Sequence, residues 1–322
     1  MKKFVTFAFI TLFSGFAFAL GLMDISITPQ AGILNGKVQE YVIDEDCLNT
    51  DNVLSRLDWE TLLIPYIGLD ADVTILDYIY LNMNGKFAFH KSSGTMQDYD
   101  WLNSINPNWA DDDPTEVTNY SSSRNILDEY NTIALRAGAN LPLPFQISIK
   151  PFVSYEYEML GYTAYGGKAK YKSMDYVEFQ LSADNERTIS YKQETNALFL
   201  GLGLNVDTLS FLSFKADFLV SPYLTWISCL DMHYLRSQAF YDKLENVFQL
   251  KGDLSVFYNI DSNNSFGISG FVQYIPLASG TDYIAAFNSM GQIITEWIPD
   301  DSVEGGTERF FWAISLVYKL SF

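Results

Sequence analysis

From Phe145 to Tyr157 the chain alternates. Phe145, Ile147, Ile149, Pro151, Val153 and Tyr155 are apolar or aromatic, while Gln146, Ser148, Lys150, Ser154 and Glu156 between them are polar. Side chains of an extended strand point to opposite faces with period two, so such a segment has one greasy face and one wet face. Asn246 to Tyr258 repeats the pattern, with Phe248, Leu250, Leu254 and Val256 on one face and Val247, Gln249, Lys251, Asp253 and Ser255 on the other. At the end of the chain Trp312, Ile314, Leu316, Tyr318, Leu320 and Phe322 alternate with Ala313, Ser315, Lys319 and Ser321. A β-sandwich would have to bury the Lys and Asp residues of these inner faces, which is costly without partners. A barrel lumen accommodates them. The pattern predicts an all-β protein, a closed antiparallel transmembrane β-barrel of about ten strands.

Short turns are expected at Gly68-Leu69-Asp70, Leu141-Pro142-Leu143-Pro144, Asp207-Thr208-Leu209 and Asp261-Ser262-Asn263-Asn264, alternating with longer polar connections. Short turns at one end and long loops at the other are the usual asymmetry of outer-membrane barrels. Many alternating segments exceed the roughly 9–11 residues needed to cross a bilayer, so the barrel should project above the outer membrane. The first residues read differently. Lys2-Lys3, an apolar run from Phe4 to Phe18 and Ala17-Phe18-Ala19 form an export signal over residues 1–19, leaving a single barrel domain over 20–322.

Composition sharpens this picture. Aromatic residues make up 16% of the chain, and the formal charge of −19 disfavours nucleic acid as a partner and favours cationic peptides or divalent ions. Acidic runs such as Asp44-Glu45-Asp46, Asp111-Asp112-Asp113 and Asp300-Asp301 fall in loops, where solvation alone accounts for each.

Candidate chemistry is sparse. There are two histidines, and His90, among Phe87, Ala88 and Phe89, reads as a wall or loop residue. His233 is different. With Pro222, Leu224, Trp226 and Leu230 facing lipid, the residues Tyr223, Thr225, Cys229, Asp231 and His233 are expected to face inward. Asp231 and His233 then share a face, where a carboxylate orients an imidazole and stabilises its protonated form. Asp98 and Asp100 share a face in the same way, and their repulsion should raise one pKa. No metal-ligand spacing is present, and no cofactor is expected.

Several segments resemble the omptin family of outer-membrane endopeptidases. Ser93-Gly94-Thr95-Met96-Gln97-Asp98-Tyr99-Asp100-Trp101 is similar to the family's Asp-X-Asp-Trp segment, and Asp231-Met232-His233-Tyr234 to its Asp-Glu-His-Tyr. Gly36-Lys37-Val38-Gln39-Glu40, Ser55-Arg56-Leu57-Asp58-Trp59-Glu60, Asn106-Pro107-Asn108-Trp109, Tyr162-Thr163-Ala164 and Glu186-Arg187 follow in family order. The resemblance implies a surface protease whose Asp231–His233 couple activates a water opposite Asp98 and Asp100. The same resemblance makes Glu40, Asp111 and the position of Cys229 substrate-binding, and implies peptide or protein substrates that are cationic, with outer-membrane lipid as partner and activator.

Two departures qualify the resemblance. Cys229 stands where the family has a second acid beside Glu40, which weakens a strict dibasic preference. The family's lipid-gripping arginine is replaced around Glu158 and Met159. Cys47 and Cys229 form an even pair in an exported chain, compatible with a disulfide or with two thiols. The competing function is a non-catalytic omptin-like barrel serving as adhesin, ligand-binding or structural protein. A general porin is disfavoured, because barrels of about this size are usually filled by side chains.

Overall fold

The computed structural model describes residues 23–44, 47, 52–103, 105–109 and 111–322. The export signal expected over residues 1–19 lies outside them. Among the described residues thirteen strands run in chain order: β1 Met23–Ile43, β2 Val53–Ile75, β3 Ile79–Ala88, β4 Lys91–Asp100, β5 Asn119–Ala139, β6 Leu141–Leu143, β7 Ile147–Tyr171, β8 Phe179–Gln180, β9 Arg187–Leu209, β10 Leu212–His233, β11 Gln238–Asn259, β12 Asn264–Ala286 and β13 Ile298–Ser321. β3 and β4 together make one wall strand, interrupted at Phe89-His90, because both pair with β2 on one side and β5 on the other. β6 and β8 are short additions to β7. The remaining pairings are antiparallel between neighbours, and β1 pairs with β13 from Ser26↔Ser321 to Ile43↔Glu304, which closes the ring at ten wall strands.

The outer face divides along the strands. On β13 the outward residues Phe310, Trp312, Ile314, Leu316 and Tyr318 are apolar, whereas Glu304 and Glu308 face outward nearer the other end. On β9 the exposed run is Leu198, Leu200, Leu202 and Leu204. The apolar belt therefore lies toward the short-turn end. Strands of 20 or more residues, tilted as barrels require, rise roughly 55 Å against an apolar band of about 25 Å, so about half of the wall stands clear of lipid.

The lumen is packed. Trp59 is stacked between Tyr162 and Tyr191, with ring centroids at 5.6 and 5.8 Å. Beneath it the fully buried Arg309 pairs with Glu158 and donates to Gln193 at 2.9 Å. Lower still, Arg136 lies 2.9 Å from Asp217 and 3.5 Å from Asp253, and Lys251 pairs with Glu156. Each of these inward charges finds an opposite one, which is what makes their burial tolerable. A polar cavity of about 320 Å³, lined by Lys86, Lys150 and Lys215 among others, occupies the short-turn end.

Two sequence expectations need correction. Gly68-Leu69-Asp70 is no turn. It lies within β2, where Gly68 leaves room for the Gln30 side chain and Asp70 accepts from Asn82 and Asn84 at 3.1 and 3.0 Å. The chain reverses instead at Leu76-Asp77, both with left-handed φ. Tyr223 points outward, 63% exposed, because residues 222–224 form a bulge between Ser221 and Thr225 and Tyr223 has φ 63°. A bulge of two extra residues restores the phase, so Thr225, Cys229, Asp231 and His233 still face inward. Where the family's arginine is replaced, Glu158 faces the lumen and Met159 is its outward neighbour.

Candidate active site

A cleft of about 560 Å³ lies at the long-loop end, clear of the apolar belt, and is tied to the stacked Trp59 layer through Glu40. Two strands from opposite sides of the ring deliver the predicted residues. β4 arrives through an irregularity between Ser92 and Thr95, where Gly94 has φ 94° and Glu60 accepts from the Thr95 amide at 2.8 Å. A side chain at Gly94 would collide with Glu60, so this bend, which sets the aim of the next residues, needs glycine. Asp98 and Asp100 then turn into the cleft together. β10 brings Asp231 and His233 from the facing wall; ladder partners Tyr191 and Ile189 on β9 hold their backbone.

His233 and Asp231 are buried, and the Nε2 of the imidazole is hydrogen-bonded to the Asp231 carboxylate. The ring packs edge-on against Phe240 at 5.4 Å. On the other nitrogen, Nδ1, lies the guanidinium of Arg236, carried by the turn after β10. Asp100 accepts from Asn119 at 3.3 Å. Oδ1 of Asp98 and Oδ1 of Asp231 are both buried without a partner, and among the described residues no hydrogen bond joins the two pairs. All four residues line the same cleft, with Arg236 between them.

Burial raises the pKa of Asp98 well above the ordinary carboxylate value, and the charge of Asp100 adds to this; Arg236 opposes it. Asp100 is also raised by burial, against hydrogen bonds from Ser55 and Asn119. The pair can therefore keep a proton at pH values where ordinary carboxyls have none.

Glu40 enters from β1, buried, and accepts from Trp59 Nε1 at 3.3 Å. Burial first, then Asp231 and Asp242, push its pKa well up. Asp111 is exposed on the loop after β4 and does not line the cleft. Cys229 is buried below it, accepting from Tyr191 at 3.1 Å, and the Cys47 thiol donates to the Val53 carbonyl at 3.3 Å, so no disulfide joins them. His90 is exposed, 3.4 Å from Asp128 and far from this chemistry. Sequence reasoning missed Arg236, Asp242, Asp282 and Asp300, all of which line the cleft. Arg236 lies three residues after His233 and was open to notice; the others needed the strand register.

Residues 22–288 match the Omptin family. The chain belongs to the omptin family. This omptin is 26% identical over 253 residues to the plasminogen activator of Yersinia pestis, covering 75% of this chain and 76% of that protein. It is 24% identical over 262 residues to the outer membrane protease IcsP of Shigella flexneri, covering 80% and 79%. Its fold is similar to the crystal structure of the outer membrane protease OmpT from Escherichia coli, with a TM-score of 0.79 at 19% identity over 93% of this chain and 97% of that one. Family and fold together make it a bacterial outer-membrane protein.

Proposed function

We propose that this omptin is an endopeptidase of the bacterial surface that hydrolyses peptide bonds next to basic residues, with its cleft facing outward from the cell. The observation that carries the reading is the convergence of Asp98, Asp100, Asp231 and His233 on one cleft from opposite walls. Proteases of the same family, at similar identity along most of the chain, support it. In these barrels the long loops lie outside the cell, and the cleft is at the long-loop end.

The chemistry follows from the geometry. With Nε2 held by Asp231, the lone pair of His233 is on Nδ1, which faces the cleft and takes a proton from water as that water attacks the peptide carbonyl. Asp231 stabilises the imidazolium that forms, and His233 then gives that proton to the leaving amine as the C–N bond breaks. The proton kept by the Asp98–Asp100 pair is donated to the developing oxyanion. Arg236 stands on Nδ1 and has to withdraw before water is activated. That contact is the one observation favouring the second reading, a non-catalytic binding barrel.

The test is to refold the protein, offer a quenched library rich in Arg and Lys with and without outer-membrane lipopolysaccharide, and sequence the cuts. Cleavage beside basic residues is expected, with Glu40→Gln lowering the preference for them by a factor matching the loss of about 1.5–3 kcal/mol. An unchanged ratio of basic to neutral cuts would remove Glu40 from the pocket. No cleavage in any lipid condition would leave the binding barrel.

A further inference from the structure

The cleft has a second acidic corner that the four residues above do not use. Asp242 on β11 is the direct ladder partner of Cys229 on β10, and its carboxyl turns into the cleft beside Glu40. Asp282 on β12 lines the same corner, close enough for its charge to act on Asp242. Glu40, Asp242 and Asp282 are each about 95% buried. Among the described residues no lysine, arginine or histidine lies within ion-pair distance of any of the three.

Two further features mark this corner as built to receive something. Oδ1 of Asp282 is buried without a hydrogen-bond partner. Opposite, β13 carries Gly305, where a side chain would begin 2.0 Å from Asp242 Oδ1, so the glycine is what admits the carboxyl. In the belt half of the lumen inward carboxylates sit against Arg or Lys, as Asp217 does against Arg136 and Asp72 against Lys215. Here no described residue supplies the countercharge.

We infer that Asp242, backed by Asp282, is the second acid of a pocket whose first is Glu40, and that the pocket takes a guanidinium from the substrate. The cysteine at position 229 thus does not leave Glu40 alone. The missing carboxylate comes from the neighbouring strand, one ladder position across. Two carboxyls approaching from β1 and β11 suit the planar fork of arginine better than the compact ammonium of lysine. The inference rests on the peptidase reading for its biological meaning, but the pocket itself is testable without catalysis.

Two measurements separate these possibilities. Matched quenched peptides carry Arg, Lys or citrulline, the uncharged isostere of Arg, before the cut bond. Wild type should prefer Arg over citrulline by on the order of 100-fold, and Asp242→Asn should shrink that ratio at least tenfold. Asp282→Asn should shrink it less, and Glu304→Gln, on the outer wall of the same β13, should leave it unchanged. In parallel, agmatine binding is followed by calorimetry on wild type and Asp242→Asn, with folding of each variant checked by circular dichroism. Should Asp242→Asn not fold, Asp242→Glu and Asp282→Asn carry the test. Agmatine binding that Asp242→Asn abolishes, without any peptide cleavage, keeps the pocket and sinks the peptidase. Equal cutting of Arg and citrulline peptides, an Arg preference indifferent to Asp242, or no agmatine binding by wild type, overturns the pocket.

Discussion

The two halves of the lumen handle charge in opposite ways. In the belt half, Arg136 sits among Asp217, Asp253 and Glu156, and Lys215 lies 3.2 Å from Asp72 and 3.7 Å from Asp70. Above Trp59, the cleft gathers Glu40, Asp98, Asp100, Asp231, Asp242, Asp282 and Asp300, and among its lining residues Arg236 is the one arginine or lysine. Both halves are closed by the same kind of ladder. The difference shows that the lower charges serve the wall, since each partner offsets the other's desolvation, whereas most of the upper ones are left uncompensated at a cost in stability. Such a cost persists where function uses it.

The comparison breaks most visibly at His233. Replacing it with Ala should lower peptide cleavage by on the order of 10²–10⁴-fold while leaving the melting temperature nearly unchanged, measured on the same refolded sample. A variant that unfolds would mean that the cleft, too, is structural.

Arg136 is the mirror experiment. Arg136→Met strands Asp217, Asp253 and Glu156 and should cost about 3–5 kcal/mol in urea unfolding. Cleavage by the fraction that remains folded should be retained. A near-neutral substitution would show that the belt-half charges are solvated rather than paired.

The pH dependence of stability sharpens the contrast. A carboxyl whose pKa is raised by folding binds its proton more tightly when folded, so it favours folding as pH falls toward that value and penalises folding above it. Asp242, raised well up by burial and Asp282, and Asp282, raised by burial, both act in this sense, as do Glu40, Asp98 and Asp100. The melting temperature should therefore rise as pH is lowered from about 8 toward about 5, still above the ordinary carboxylate range of about 4. Asp242→Asn with Asp282→Asn should flatten that rise. A melting temperature that falls over this window in the wild type would contradict the uncompensated cleft.

The smallest effect is expected at the bulge. Tyr223→Gly relieves a left-handed φ at a bulky residue but loses the ring contact with Phe248 at 6.0 Å. These terms are of similar size, so stability should change by less than about 1 kcal/mol. A large loss would mean that the bulge, and not the ladder on either side of it, sets the phase that points Asp231 and His233 inward.

Much of this was legible in the chain, and for local reasons. Period-two alternation depends on neighbouring residues alone, so the strands, their two faces and the closed barrel could be read directly from segments such as Phe145–Tyr157. Asp231 and His233, two apart on one strand, had to share a face, and so did Asp98 and Asp100. Reading failed where a local signal met a lumen. Gly68-Leu69-Asp70 carries turn residues, but in the barrel glycine makes room for Gln30 and the aspartate finds asparagine partners. At Tyr223 the alternation slipped because a bulge is invisible to a strict period.

The acid set of the cleft belongs to the tertiary structure. Asp242 becomes the neighbour of Cys229 only once the β10–β11 register is set, and it meets Glu40 only once β1 and β13 close the ring. Glu40 and Asp242 are 202 positions apart in the numbering, and a pattern read along one strand holds nothing about what the opposite wall supplies. The same holds for Arg236. Sequence alone places it three residues after His233, but its position on Nδ1, facing Asp98 and Asp100, follows from a turn folding back over the mouth of a closed barrel. Local alternation sets which way a side chain points; closure alone sets which charges it then faces.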